Sequence, residues 1–236
     1  VAALWSAWER EGVEALHLER VRPDSQVLGF LAPLARERCA AVAVEPAGVS
    51  VEVALPGSWD GYLERLDKKQ RHELRRKLRR LQGAGAVEFR TVRSAGAGLA
   101  GAVAGFFRLF RDNREDKAAF LTPGMEAYFG AVIDAAARDG LLNLGLLELG
   151  GALAAAVLCF DHQGRTHLYN NGYSREFAPL GVGLLSKVLS LRDSLERGVA
   201  VYDLLAGDED YKFHLGGGAV TLFRCVIRLR PGVGVP

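Results

Sequence analysis

The sequence predicts an α+β fold: a mixed, largely antiparallel sheet flanked by helices, with one helical crossover. Three observations predict it. Strand-length apolar runs alternate with amphipathic stretches of helical spacing. Three of those runs, within residues 141–173, follow one another across glycine turns. The later run "VAVYDLLAG" is reached from them only through a long helical segment. In chain order, "VAALWSAWEREG" reads as helix, "VEALHLERV" as strand, Pro23 to Arg38 as a helix begun at Asp24 or Ser25, and "CAAVAVE" as strand. This alternation looks like the end of an α/β unit and is too small to hold a good core alone. A second block opens at "VEVALPGSWDG". Ser58 is a suitable cap for one helix from Trp59 to Gln82, in which Tyr62, Leu63, Leu66, Leu74, Leu78 and Leu81 recur near helical spacing until Gly83 and Gly85 stop it. Strand "VEFRTVR" follows, then helices from Leu99 to Asp116 and from Gly124 to Asp139. The meander "LLNLGLLELG", "ALAAAVLCFDH" and "RTHLYNNGY" turns at Gly150, Gly151 and Gly164. A helix from Gly183 to Arg197, the strand "VAVYDLLAG", a polar segment "DEDYKFHLGGG" and the strand "VTLFRCVIRLR" complete the chain.

Composition excludes several function classes. A net charge of +2 implies no global polyanion binder, so any basic partner surface is local. Cys39, Cys159 and Cys225 are odd in number, far apart and in apolar contexts, which fits a reduced, cytoplasmic chain rather than a disulfide or metal framework. No apolar run reaches the roughly 18 residues of a membrane span, and no signal peptide is visible. The chain opens at Val1 without methionine, so a fragment and an alternative start both stay open.

The stretch "YNNGYSREFAPLGVGLLSK" carries the most chemistry. Gly181 and Gly183 at a helix start remove side chains where backbone amides must approach a ligand, and the helix N-terminus favours an anion. A phosphate or pyrophosphate on Gly181, Val182, Gly183 and Leu184 and a plain glycine turn both satisfy that pattern. The full dinucleotide fingerprint is not met, because Ser186 stands at the third glycine position.

The order of elements around this loop resembles the GNAT acyltransferase fold, in which a meander enters a helix through a coenzyme A pyrophosphate loop. The two glycines fit that family's loop pattern; Ala178 departs from its polar first position. Three segments, "LPGSWDGYLERLDKKQRHELRRKLRRL", "YNNGYSREFAPLGVGLL" and "YDLLAGDEDYKFHLGG", resemble a CelD-like branch related to the Fem aminoacyltransferases. The resemblance implies two lobes, with residues 1–54 a remnant of the first and 55–236 the acyltransferase domain. It implies N-acyl transfer from acyl-CoA, such as acetyl-CoA, to an amine acceptor in cell-envelope or polysaccharide metabolism, with no metal. The alternatives are aminoacyl transfer from aminoacyl-tRNA to a cell-wall precursor, and a non-catalytic domain that binds anions or a partner.

Site residues follow from the same resemblance. Lys212 in "DEDYKFHLGG" would stabilise a tetrahedral oxyanion, unless it is a loop lysine paired with Asp208 or Asp210. Asp203 or Asp208 would assist it or take a proton, and Asp203 could equally cap a turn. Tyr169 and Asn171 would contact substrate, and Tyr173 would act as general acid. Strand alternation aims all three to one face and Asn170 to the other. His167 and His214 offer alternative bases. The basic helix, with Lys68, Arg71 and Arg75 among its cations, is either a tRNA or acidic-acceptor surface or a solvated face; it lacks the interleaved aromatics of a single-strand binder.

Overall fold

The computed structural model describes residues 2–38, 41–113 and 115–229. Cys39 lies outside them. The chain divides into two compact units, Val1–Val51 with Ala206–Asp208 and Ala219–Pro236, and Glu52–Leu205 with Glu209–Gly218.

The first unit contains helix α1 (Ala2–Arg10), strand β1 (Ala15–Val21), helix α2 (Ala32–Glu37) and most of strands β2 (Ala41–Ala54) and β8 (Gly218–Arg228). The stretch expected as one helix from Pro23 begins instead as a π turn, Val27–Leu31, and Ser25 Oγ accepts from the Leu28 amide at 3.4 Å. β8 pairs antiparallel with β1. That pairing supplies what the N-terminal residues lack, since Cys225 and Ile227 of β8 join Trp5, Val21, Leu31 and Ala35 in one buried cluster. β2 runs unbroken through Pro46 and Gly48, where the sequence suggested two separate segments.

The second unit holds α3 (Trp59–Arg65), α4 (Lys68–Gly83), β3 (Val87–Val92), α5 (Leu99–Asn113), α6 (Glu115–Phe120), α7 (Pro123–Arg138), β4 (Leu142–Leu149), β5 (Ala152–His162), β6 (Arg165–Tyr173), α8 (Val182–Glu196), β7 (Val201–Ala206) and α9 (Asp210–His214). Its strands are ordered β7-β6-β5-β4-β3. β3 to β6 pair antiparallel, and β7 returns parallel to β6 through the α8 crossover. One single helix of the sequence reading, Trp59 to Gln82, is broken. Ser58 caps α3 as expected, but Leu66 leaves helical geometry and Asp67 starts α4 through a capping box with Gln70. Thr122 caps α7, its hydroxyl accepting from the Met125 amide.

Alternation along the meander sorts the two sheet faces. Leu142, Leu144, Leu146, Ala156 and Leu158 bury against Phe106, Phe110 and Leu109 of α5 and Phe129 and Ile133 of α7. Cys159 points the other way, to Ser190 of α8 at 3.6 Å and the Tyr202 hydroxyl at 3.5 Å. Burial pushes its thiol up to about 12, which makes it an inert core group. At Gly172 the backbone of α5 comes so near β6 that a Cβ would lie 2.5 Å from the Phe110 nitrogen.

Candidate functional site

The parallel β6–β7 ladder is short. It pairs Arg165 with Val201, Thr166 with Tyr202 and His167 with Asp203, and ends there. Beyond it the C-terminal halves of the two strands are not paired to each other, and β6 is irregular, because Leu158 of β5 faces Asn170 while Cys159 faces Leu168. Tyr169 is the extra residue of this bulge. A bulge breaks the two-residue alternation, so Tyr169 leaves the face that Asn171 and Tyr173, both beyond the bulge, keep in common. Tyr169 packs edge-on against Phe129 and Phe160 and lines an apolar recess with Phe106, Phe107 and Asn170. Tyr173 turns instead toward α8.

Between β6 and α8 runs a 3-10 turn, Arg175–Leu180, closed by the Gly181 amide donating to Ala178 O at 2.9 Å. Gly181 is the α8 cap at φ 73°, a conformation that costs an L-residue about 1 kcal/mol or more. The amides of Leu184 and Leu185 return to Gly181 O, which leaves those of Val182 and Gly183 as the first of the helix. Open space surrounds Gly181, but a Cβ on Gly183 would stand 2.6 Å from Cδ1 of Tyr173. Gly183 is thus glycine because the Tyr173 ring lies on it.

Lys212 and Asp203 meet on one peptide. Leu205 has a left-handed φ of 58°. Its amide donates to Asp203 Oδ1 at 2.8 Å, and its carbonyl accepts from Lys212 Nζ at 3.0 Å. Lys212 is buried within α9, not a loop, and its ammonium is also paired with Glu209 at 2.9 Å. Asp203 Oδ2 lies 3.4 Å from His167 Nδ1, so the histidine shares this corner. Asp203 therefore holds a turn, and both side chains fix a strained peptide where the ladder ends. His214 is exposed at the end of α9.

Two lysines that sequence reasoning missed complete the corner. Lys117 Nζ of α6 donates to Asn171 O at 2.6 Å and to Asn170 Oδ1 at 3.2 Å, and it lies over the Phe110 ring at 4.7 Å. Lys187 Nζ donates to Gly183 O at 3.2 Å and lies over the Tyr211 ring at 4.6 Å. Burial, with repulsion from Lys117 and Lys212 against attraction to Glu209, lowers Lys187 to about 8. The readable signal was its place, four residues after Gly183 in a run of otherwise apolar and small residues.

The remaining expected residues lie elsewhere. Lys68 and Arg75 are exposed on α4, while the half-buried Arg71 donates to Leu63 O at 3.4 Å. Leu74 and Leu81 form the buried side of that helix, and it packs against α8 and the 3-10 turn. Asp208 belongs to the first unit, where it lines a cleft of 280 Å³ with Arg20, Gly48 and Gly207. Among the described residues no group of three or more His, Cys, Asp or Glu is arranged to hold a metal ion. Nor is any described helix long and apolar enough to cross a membrane.

Comparison with known proteins adds to this geometry. The profile of a family described as Acetyltransferase (GNAT) domain matches residues 68–213, more than half of the chain. No curated protein matches in sequence. Among solved structures, FemX is similar at 14% identity and a TM-score of 0.64, covering 95% of this chain and 75% of FemX. The C-terminal DUF2156 domain of a protein described as a lysylphosphatidylglycerol synthetase from Agrobacterium fabrum gives 11% identity and a TM-score of 0.63, with 94% of this chain and 71% of that one covered. L-PGS from Bacillus licheniformis gives 9% and 0.61, with 97% and 72% covered. At these identities the solved structures show a shared fold.

Proposed function

Because the chain belongs to the GNAT acetyltransferase domain family and is a GNAT-type acyltransferase, we propose that it transfers an acyl group from acyl-CoA to an amine, with the donor lying along the β6–β7 opening. One observation carries this reading: the parallel ladder stops at His167 and Asp203, and α8 begins on the left-handed Gly181 with its first turn against Tyr173, at the far end of the part of β6 that β7 leaves. Beyond the ladder the two strands are not bonded to each other, which would let an extended thioester chain lie between them, and the first amides of α8, Val182 and Gly183, favour its phosphates. In the reaction the amine nitrogen attacks the thioester carbonyl, the C–N bond forms, the C–S bond breaks, and the proton lost by the amine is balanced by the one gained by the departing thiolate. Lys212 and Lys187 stand where positive charge would stabilise the intermediate oxyanion. Tyr173, beside Gly183, is the candidate proton donor to the thiolate. Asp203 positions the Leu205 peptide that Lys212 holds. The acceptor is an amine on a small molecule, glycan or peptide, and dependence on coenzyme A thioesters fits a cytoplasmic protein.

A second reading has one observation in its favour. The exposed cations of α4 stand on a helix that packs against the 3-10 turn and α8, where an aminoacyl-tRNA donor would bring its phosphates. The neighbour described as a lysylphosphatidylglycerol synthetase makes a donor other than acyl-CoA worth testing. Thermal shift against acetyl-CoA and longer acyl-CoA species separates the two, with tRNA binding measured across a salt series. Stabilisation by acyl-CoA that Gly181→Asp abolishes supports the first. The second is supported by tRNA binding that falls steeply with salt and is lost in Lys68→Glu/Arg75→Glu. No stabilisation by any acyl-CoA refutes the first.

A further inference from the structure

Lys117, Lys187 and Lys212 come from three separate helices and bring their ammonium groups to the open end of the β6–β7 pair, and we infer that they form a binding site for a carboxylate or phosphate on a substrate. Each is anchored to a backbone oxygen around that opening: Lys117 to Asn171 O on β6, Lys187 to Gly183 O in the first turn of α8, Lys212 to Leu205 O on β7. The anchors fix the three heads without neutralising them. Glu209 pairs with Lys212 and is the carboxylate whose charge reaches Lys187. Three cations therefore converge on a corner that also holds the carboxylates of Glu209 and Asp203.

Aromatic faces limit the directions the heads can take. Phe110 lies beneath Lys117 and Tyr211 beneath Lys187, so each ammonium has a ring on one side and a carbonyl on another. Gly183 O is the hydrogen-bond acceptor of Lys187 among the described residues, and an ammonium carries three N–H donors. Clustering like charges in a half-buried corner is unfavourable, as the depressed value of Lys187 expresses, and an incoming anion removes that penalty. An acetyl group brings no such charge. An acyl chain ending in a carboxylate does, and so does an acceptor bearing a carboxylate or phosphate. Which of these supplies the anion rests on the acyl-transfer reading above; the anion site does not.

Isothermal titration of the whole chain with succinate and with inorganic phosphate tests the site without any turnover. The protein should bind at least one of them, and Lys187→Gln should weaken that binding about tenfold or more, as expected for one lost charge-assisted hydrogen bond, whereas Lys187→Arg should retain most of it. Trace labelling of amines should show Lys187 reacting more slowly near pH 8 when the anion is bound, because the anion raises its pKa. A comparison of succinyl-CoA with acetyl-CoA then finds the source. Tighter succinyl-CoA binding that Lys187→Gln erases assigns the anion to the acyl chain. Equal binding of the two thioesters, with succinate or phosphate still captured, assigns it to the acceptor. Binding of both anions weaker than about 10 mM, or equal binding by the wild type and Lys187→Gln, overturns the proposal. If free anion binds through Lys187 while no coenzyme A species binds at all, the acyl-CoA reading fails and the anion site stands.

Discussion

Substituting Gly183 by alanine tests whether that glycine is kept for Tyr173 or for a ligand. In the wild type two effects oppose each other. Alanine favours helix over glycine by up to about 1 kcal/mol, while its Cβ would stand 2.6 Å from Tyr173 Cδ1 and 2.8 Å from Cε1, an overlap that makes the ring move. Overpacking of this kind costs about 1–3 kcal/mol, so the net effect is a destabilisation of about 0–3 kcal/mol. Removing the ring removes the clash. In a Tyr173→Ala background the same substitution should stabilise by up to about 1 kcal/mol, which gives a coupling of about 1–3 kcal/mol between the two positions. Urea unfolding of the four proteins measures it. A coupling under about 0.5 kcal/mol, the level expected of independent sites, refutes the packing argument. Acyl-CoA affinity of the same four proteins gives the complementary result. If the glycine instead keeps space for the donor, Gly183→Ala weakens binding with or without the tyrosine ring.

The structure makes further predictions. Gly172→Ala forces a methyl group onto the backbone of α5, 2.5 Å from Phe110 N and 2.6 Å from Leu109 C, with no side chain free to yield. It should destabilise by about 3 kcal/mol or more in the same unfolding assay, beyond Gly183→Ala. Asp203→Ala leaves the Leu205 amide without its carboxylate and should cost about 1–3 kcal/mol. Adding Leu205→Gly should recover about 1 kcal/mol of left-handed strain, and no recovery in the double variant would show that the φ of 58° is not under strain. Lys187 is lowered from 10.5 to about 8, so the unfolded chain binds its proton more readily than the folded chain. The penalty for holding this ammonium, which faces Lys117, Lys212, Glu209 and Tyr211, is full below about pH 8 and fades as pH rises toward 10.5. Cys159 and Tyr211, each raised to about 12, act in the opposite sense once their unfolded counterparts ionise above about pH 9. The urea midpoint should therefore climb from pH 8 to about pH 9 and then fall, and a climb unchanged in Lys187→Met would assign it to another group.

The parts of the fold legible in the sequence are those in which each element carries its own signal. β4, β5 and β6 alternate internally and turn at glycines, and α8 is long enough to carry the chain across to a parallel neighbour. Elements defined by their partners were not legible in this way. The stretches "CAAVAVE" and "VEVALPGSWDG" read as belonging to separate blocks, yet β2 runs from one into the other through Pro46 and Gly48. The leucine spacing hid the gap between α3 and α4, although the run Asp67 to Gln70 was a capping box in plain view. The site divides on the same line. Gly181 could be picked out because its left-handed cap needs glycine wherever it occurs. The reason for Gly183 is a ring ten residues earlier on another strand, and nothing local to the loop reports it. Tyr169 was aimed wrongly because alternation assumes an even strand, and the bulge belongs to the pairing of β6 with β5.

The lysine cluster is the extreme case of this dependence on partners. Lys117 sits in "REDKAAF", Lys187 in "LLSKVLS" and Lys212 in "DYKFH", and none of the three segments reports the other two. Their meeting requires three things at once: a β6–β7 ladder that ends early, a carbonyl turned toward each ammonium, and aromatic rings behind two of them. That is also why Lys212 cannot be assigned a role alone. It holds the Leu205 carbonyl, adds to the field that lowers Lys187, and pairs with Glu209. Loss of activity in Lys212→Ala would combine all three effects. Lys187, which holds only a carbonyl within its own helix, is where charge can be removed with the strand geometry left in place.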